Sequence, residues 1–290
     1  MRSAVERHGA AAWDVARPAR PGRVAGASMA GFRDRGTSTE GHRAIPHPSV
    51  TVVVEFGAGP LIVDDPTGRQ RRGSLVAGLG FGAVRVRGEH FAAVQVRLSP
   101  VLVPAVLGVS PADLDGAVAP LDDLWGPPLA RLREQLAAAS TWAERFALTD
   151  AVLARCSRGG TSVDPEVTWA WRRILASHGR VRVDSLAAAV GWSRRRLWSR
   201  FHAQIGLPPK RAATLVRFDH AAHRLAAGVP TARVAADSGY ADQSHLHRDV
   251  LAFTGVTPAT VAREPWLAVD DVAWPGHAAR HRPPGRGIRH

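Results

Sequence analysis

The stretch LAAAVGWSRRRLWSRF, Leu186 to Phe201, carries Arg194, Arg195, Arg196 and Arg200 and has neither a lysine nor an acid. A guanidinium presents a planar fork of N–H donors that matches phosphate oxygens and the acceptor edge of guanine. That chemistry suits a polyanion, and the composition leans the same way. The 290 residues carry a formal net charge of +13, with Lys210 the lone lysine among 38 basic residues, which favours a polyanionic partner over an acidic small substrate. The charge is uneven: residues 164–262 hold 14 Arg or Lys against 7 Asp or Glu (+7), whereas residues 1–163 hold 19 against 15 (+4). The C-terminal part is therefore the expected anion binder.

Other chemistries find less support. Cys156 is the sole cysteine, so neither an intrachain disulfide nor a thiolate-rich metal site can form, and a reducing, cytoplasmic setting is expected. His220 with His223, His245 with His247, and His47 with Glu89 and His90 have no HExxH pattern and no cysteine partners; no metal and no cofactor is expected. GLGFG, Gly78 to Gly82, lacks GxGxxG spacing and reads as a glycine-rich strand or turn. No catalytic set emerges, and an alkyl-transfer role for Cys156 is disfavoured because no zinc-type cysteine set accompanies it. With no signal-type segment and no run of about 18 apolar residues, a membrane partner is not expected.

The elements that must position the arginines repeat. VDSLAAAVGWSRRRLWSRF from Val183 aligns with TARVAADSGYADQSHLHRDV from Thr231: Leu186-Ala187 with Val234-Ala235, Gly191-Trp192 with Gly239-Tyr240, Leu197 with Leu246, Phe201 with Val250. Each unit opens at an expected N-cap, Asp184 or Thr231, runs a short helix and breaks at a glycine able to take positive φ, as a tight turn between steeply crossed helices requires. If Leu197 and Phe201 face the core, steps of about 100° per residue put Arg195, Ser199 and His202 on the opposite face, flanked by Trp198 and Arg196. In the second unit, Leu246 and Val250 fix the core, so Ser244 and Arg248 point outward, flanked by His247 and Leu251. Between the units, Leu215, Phe218, Ala222 and Leu225 lie at helical spacing, and a helix from Lys210 to Ala227 spans about 27 Å. It could hold the units near one DNA repeat, about 34 Å, apart.

Upstream the pattern changes. VTVVVEF, PLIVD, GAVRVR and FAAVQVRL predict short strands between Val50 and Val103, and the alternation in AVRVR and AVQVRL predicts half-buried antiparallel ones. PPLARLREQLAAA and TWAERFALTDAVLARC follow as a helical pair, the second with a capping box at Thr141 and Glu144. Leu129, Leu132 and Leu136 suit an internal core better than a dimer seam. SRGGTSVD reads as a linker, with Asp164-Pro165 as N-cap and first residue of the next helix.

The expected fold class is α+β. It comprises a flexible segment 1–25 in which Trp13 serves as anchor, a β-rich, cupin-like sensor domain 26–160 ending in helices, an all-α domain 161–263 and a flexible basic tail 264–290.

Residues 164–262 resemble the DNA-binding domain of AraC-family transcription regulators, two helix-turn-helix units joined by a helix. SGYADQSHLHRDVLAFTGVTPA carries the likeness through its Gly-aromatic pair, Asp-Gln-Ser-His, Arg and Thr-Gly-x-Thr-Pro ending. VQVRLSPVLVPAVLGV followed by LDDLW also looks like a stretch of some such regulators. The resemblance implies groove-reading positions at Arg195, Trp198 and Ser199, then at Gln243, Ser244 and Arg248. Ser199 stands where many members have arginine, with Arg200 one place later, and Leu246 and Val250 replace usual aromatics. Phosphate contacts are expected from Arg172, Arg173, Arg196, His202, Lys210, Arg211, Arg217 and His247. The expected partner is double-stranded DNA; a small-molecule effector, RNA polymerase and a second copy of the chain are further candidates. The alternative is a DNA-binding adaptor whose N-terminal domain contacts other proteins without an effector.

Overall fold

The computed structural model describes residues 5–6, 13–34, 41–65, 67–80, 82–114 and 116–274. The N-terminal strands are β1 (Val5–Glu6), β2 (Trp13–Ala16), β3 (Ala27–Asp34), β4 (His42–Ala44), β5 (Val50–Glu55), β6 (Ile62–Asp64), β7 (Gln70–Arg72), β8 (Leu75–Ala77), β9 (Val84–Arg87), β10 (Ala92–Leu98) and β11 (Val118–Pro120). They form a large sheet, β1-β2-β3-β10-β5-β8-β11, and a small one, β4-β9-β6-β7.

β10 is the keystone because both its edges are paired, Val94 lying opposite Gly31 of β3 and Val54 of β5. Side-chain alternation then divides its residues. Val94, Val96 and Leu98 join Val50, Val52 and Val54 in the core beneath the helices, while Ala93 joins Phe32, Leu75 and Phe91 in the core facing the small sheet. The half-buried expectation therefore fails at β10, whose seven residues are all buried. Its inward polar residues, Gln95 and Arg97, had imitated a solvent face.

Helices α1 (Val103–Leu107), α2 (Asp122–Trp125), α3 (Pro127–Ala138) and α4 (Trp142–Ser157) cover the large sheet. Leu129, Leu132 and Leu136 of α3 are fully buried, so they serve this core. The capping box forms as expected: Glu144 N donates to Thr141 Oγ1 at 3.2 Å and Thr141 N donates to Glu144 Oε2 at 3.1 Å. α4 lies so close to β3 that any side chain at Gly31 would collide with the Trp142 ring.

The C-terminal part comprises α5 (Pro165–Ala176), α6 (Val183–Ala189), α7 (Arg194–Ile205), α8 (Pro209–Ala226), α9 (Thr231–Asp237), α10 (Gln243–Thr254), α11 (Pro258–Val261) and α12 (Pro265–Ala273). Trp171, Ile174, Leu197, Phe201, Phe218 and Phe253 form its buried centre.

Both expected flexible ends are corrected where they are described. β2 pairs with β3, Trp13 opposite Asp34. The segment after 264 begins as α12, which packs on β2, β4 and α8. Leu267, Val269 and Ala273 are buried there, and Asp270 takes a two-pronged hydrogen bond from Arg97 of β10, Nη1 to Oδ2 at 3.1 Å and Nη2 to Oδ1. The Pro-, Gly- and His-rich text beyond had masked this short apolar helix; residues 275–290 and 1–4 lie outside the described residues.

Candidate nucleic-acid interface

Each unit is a helix pair hinged at a glycine. Gly191 and Gly239 take φ of 67° and 77°, the left-handed region that glycine enters without strain. The second helices start at true caps: Arg196 N donates to Ser193 Oγ at 3.2 Å, and His245 N donates to Asp242 Oδ1 at 2.7 Å. Two expected caps do not act as such: Thr231 is the first residue of α9, behind Pro230, and Asp184 lies inside the first turn of α6. Asp164 is the N-cap residue of α5 with Pro165 as the first helical residue, as expected, but its carboxylate goes to Arg200 instead of a backbone N–H. An acid near a helix start has several competing donors, and here Arg194 and Arg200 of α7 take both.

The core positions hold as the periodicity required. Leu197, Phe201 and Ile205 of α7 and Leu246, Val250 and Phe253 of α10 are buried. Leu246 and Val250, small where the family favours aromatics, are both fully buried, and Phe253 stacks on Phe218 of α8 with ring centroids 4.4 Å apart. The opposite faces carry Arg195, Trp198 and Ser199, then Gln243, Ser244 and Arg248, all exposed. Trp198 is 51% exposed, an unusual placement for an indole unless a partner covers it.

The four arginines of α7 have different fates. Arg194 pairs with Asp184 at 2.9 Å, and Arg200 forks onto Asp164 with bonds of 2.8 and 2.9 Å, pinning α7 to the start of α5. Arg196 lies over the Trp192 ring, its guanidinium carbon 4.6 Å from the ring centroid. Arg195 has no ion-pair partner among the described residues, and Arg248 is its counterpart on α10.

Of the expected phosphate contacts, Lys210 and Arg211 are exposed in the first turn of α8, Arg172 and Arg173 on α5, and Arg196 and His247 on the recognition helices. His202 is half-buried, its ring 5.2 Å from that of Trp198. Arg217 departs from expectation: it pairs with Asp249 at 3.0 Å and lies over Tyr240 at 4.5 Å, tying α8 to α10. A partner 32 residues away in sequence left no local signal of this.

α8 is the buried axis of the domain. His220, stacked on His178 with centroids 4.3 Å apart, has its pKa pushed down to about 4, first by burial and then by His178. Burial pushes the Cys156 thiol up, which disfavours the thiolate. Among the described residues no His, Cys, Asp and Glu group is arranged to hold a metal ion.

The N-terminal domain contributes a second feature. Between the two sheets lies a partly open cavity of about 140 Å³ lined by apolar side chains including Phe32, Val53, Leu75 and Phe91, with His47, Ser49, Thr51 and Gln95 as polar members. His47 Nε2 lies 3.0 Å from Thr51 Oγ1.

Two capped helix pairs carried on one buried helix, each showing one polar face, define a double helix-turn-helix DNA-binding domain. Residues 186–264 match the family described as "Helix-turn-helix domain", and the chain carries the DNA-binding domain of AraC-type transcription regulators. No curated protein matches the chain. Among solved structures it is similar to ToxT from Vibrio cholerae, at 11% identity and a TM-score of 0.47 over 82% of this chain and 98% of that one. It is also similar to the C-terminal domain of AraT, a response regulator from Geobacillus stearothermophilus, at 23% identity and a TM-score of 0.33 over 36% of this chain and 88% of that one. No helix among the described residues is long and apolar enough to cross a membrane.

Proposed function

We propose that this DNA-binding regulator reads two successive major grooves, α7 through Arg195, Trp198 and Ser199 and α10 through Gln243, Ser244 and Arg248. The observation that supports it is that Arg195 of α7 and Arg248 of α10, neither with an ion pair among the described residues, lie exposed on the faces opposite the buried Leu197 and Leu246. Lys210, Arg211, Arg173 and His247 supply phosphate contacts, which set affinity without reading sequence. Residues 26–160 act as the regulatory part and 161–263 as the DNA-binding part.

The regulatory part is read as a ligand sensor because its cavity is mostly apolar with a few polar side chains in the lining, the usual build of a small-molecule site. A ligand acts by binding one arrangement of the two domains better than another. The test is selection of random duplex DNA by the full chain at fixed salt. Two short motifs about one helical turn apart are expected; a single motif, or none, would overturn two-groove reading.

A further inference from the structure

Strand β10 places one neutral polar side chain where the surroundings are apolar. Val94 and Val96 join the core beneath the helices and Ala93 joins the core facing the small sheet, so alternation turns Gln95 towards the small sheet as well. There Gln95 lines the partly open cavity of about 140 Å³ between the sheets. The residue is 6% exposed, and no hydrogen bond reaches its side-chain amide among the described residues. A primary amide taken out of water with its N–H groups and carbonyl unmatched is costly, and leucine would fill the position without that cost.

The rest of the lining indicates what would match it. Among the described residues it holds no aspartate, glutamate, lysine or arginine. His47 is its one ionisable side chain, and His47 Nε2 lies 3.0 Å from Thr51 Oγ1. Thr51 stands two residues before Val53, the β5 partner of Gln95, so hydroxyl and amide share a face as diagonal neighbours, about 7 to 8 Å apart at the backbone. Gly78 and Gly80 of the GLGFG stretch add bare backbone to the lining. A Cβ on Gly78 would lie 2.9 Å from Leu114 Cβ, and one on Gly80 would lie 2.9 Å from the Gly116 carbonyl oxygen. These two glycines therefore form a close wall that brings no charge.

Resting on the ligand-sensor reading of this cavity, we propose that it takes an uncharged apolar molecule carrying one hydroxyl or carbonyl group, which the Gln95 amide binds. An ion would lose its hydration there with no carboxylate, guanidinium or ammonium to pair with, whereas an alcohol or ketone exchanges a hydrogen bond to water for one to Gln95. A cavity of about 150 Å³ accepts a benzene ring, which sets the body at one ring or a chain of similar bulk. Phe32, Val53, Leu75 and Phe91 supply its apolar contacts.

The test titrates the full chain at neutral pH with four probes of similar shape: benzyl alcohol, ethylbenzene, benzylammonium and benzoate. Calorimetry gives the affinities, and competition against benzyl alcohol confines the readout to one site. Saturable binding of benzyl alcohol is expected, weakened about fivefold by Gln95→Leu while ethylbenzene binds that variant at least as well as it binds the parent. Each ion should compete at least about tenfold more weakly than the alcohol binds. Without ligand, Gln95→Leu should unfold in urea no earlier than the parent, and Gln95→Met, unbranched like glutamine, repeats both measurements. Lower stability in both variants, or equal weakening of alcohol and hydrocarbon, would give the amide a structural role and overturn the assignment. Displacement of the alcohol by either ion at equal or higher affinity would leave the ligand-sensor reading standing and overturn the uncharged class. No saturable binding of any probe at millimolar concentration would overturn both, leaving water as the partner of the amide.

Discussion

In the first helix-turn-helix unit, α7 carries four arginines, of which Arg194 and Arg200 hold acids and Arg196 covers Trp192. In the second, α10 carries Arg248 alone, and its neighbour Asp249 draws Arg217 of α8 inward. The units share one backbone plan and differ in what their charges do. The abundance of guanidinium on α7 is therefore not all available to a partner: part of it fastens the helix to α5 and α6, and the proposed reading gives base contact to Arg195 in this unit and Arg248 in the other.

The units also differ in how they meet the N-terminal domain. α7 packs along the Pro100–Leu102 and Pro111–Leu114 segments, where Ser110 Oγ donates to the Ala203 carbonyl at 2.5 Å. α10 is met by one arginine, Arg43, whose Nη1 donates to the Thr254 carbonyl at 2.8 Å. Among the described residues, α7 therefore meets the N-terminal part along a packed surface, whereas α10 is joined to it by the Arg43 hydrogen bond.

The largest expected effect falls on both units at once, because α8 supports both. His220 has a folded pKa near 4 against an unfolded value near 6.5, so in that window the unfolded chain binds the proton and the native chain does not. Stability is unaffected above the unfolded pKa and falls as pH drops from about 6.5 towards 4, by up to about 3 kcal/mol. His178, His223, Arg180 and Arg224 face the ring and oppose its protonation. Urea unfolding across that range should show the loss, and His220→Phe should flatten it; an unchanged slope in the variant would assign the effect elsewhere.

Next come the two recognition arginines. Arg195→Ala and Arg248→Ala should each cost about 1 to 3 kcal/mol on the selected site and relax base preference only in their own half. Competition binding over sites randomised in one half decides this, and loss of preference in both halves from either variant would erase the distinction between the units. The caps should behave alike: Ser193→Ala and Asp242→Ala are each expected to lower stability by about 1 kcal/mol in chemical denaturation.

The smallest effect sharpens the comparison most. Arg194→Ala breaks a solvent-exposed pair worth about 0 to 1 kcal/mol and should leave base preference intact. If it relaxes preference as much as Arg195→Ala does, Arg194 reads bases and the division of labour on α7 is wrong. Lys210→Ala should weaken binding evenly across sequences and reduce the salt slope by about one.

The sequence by itself determined the repeat, its register, the buried faces of α7 and α10 and the capping box of α4. All of these follow from local rules: a 3.6-residue period, a glycine at a turn, a Thr-x-x-Glu spacing. The tertiary structure alone decided which arginines remain available, because their partners are remote in the chain. Asp164 and Arg200 are 36 residues apart, Arg97 and Asp270 are 173, and an ion pair has no periodicity to betray it. It also decided that β10 is buried on both faces and that the text after 264 begins as a packed helix. Both outcomes depend on which surface another part of the molecule covers, and that is set by the assembled fold rather than by any stretch read alone.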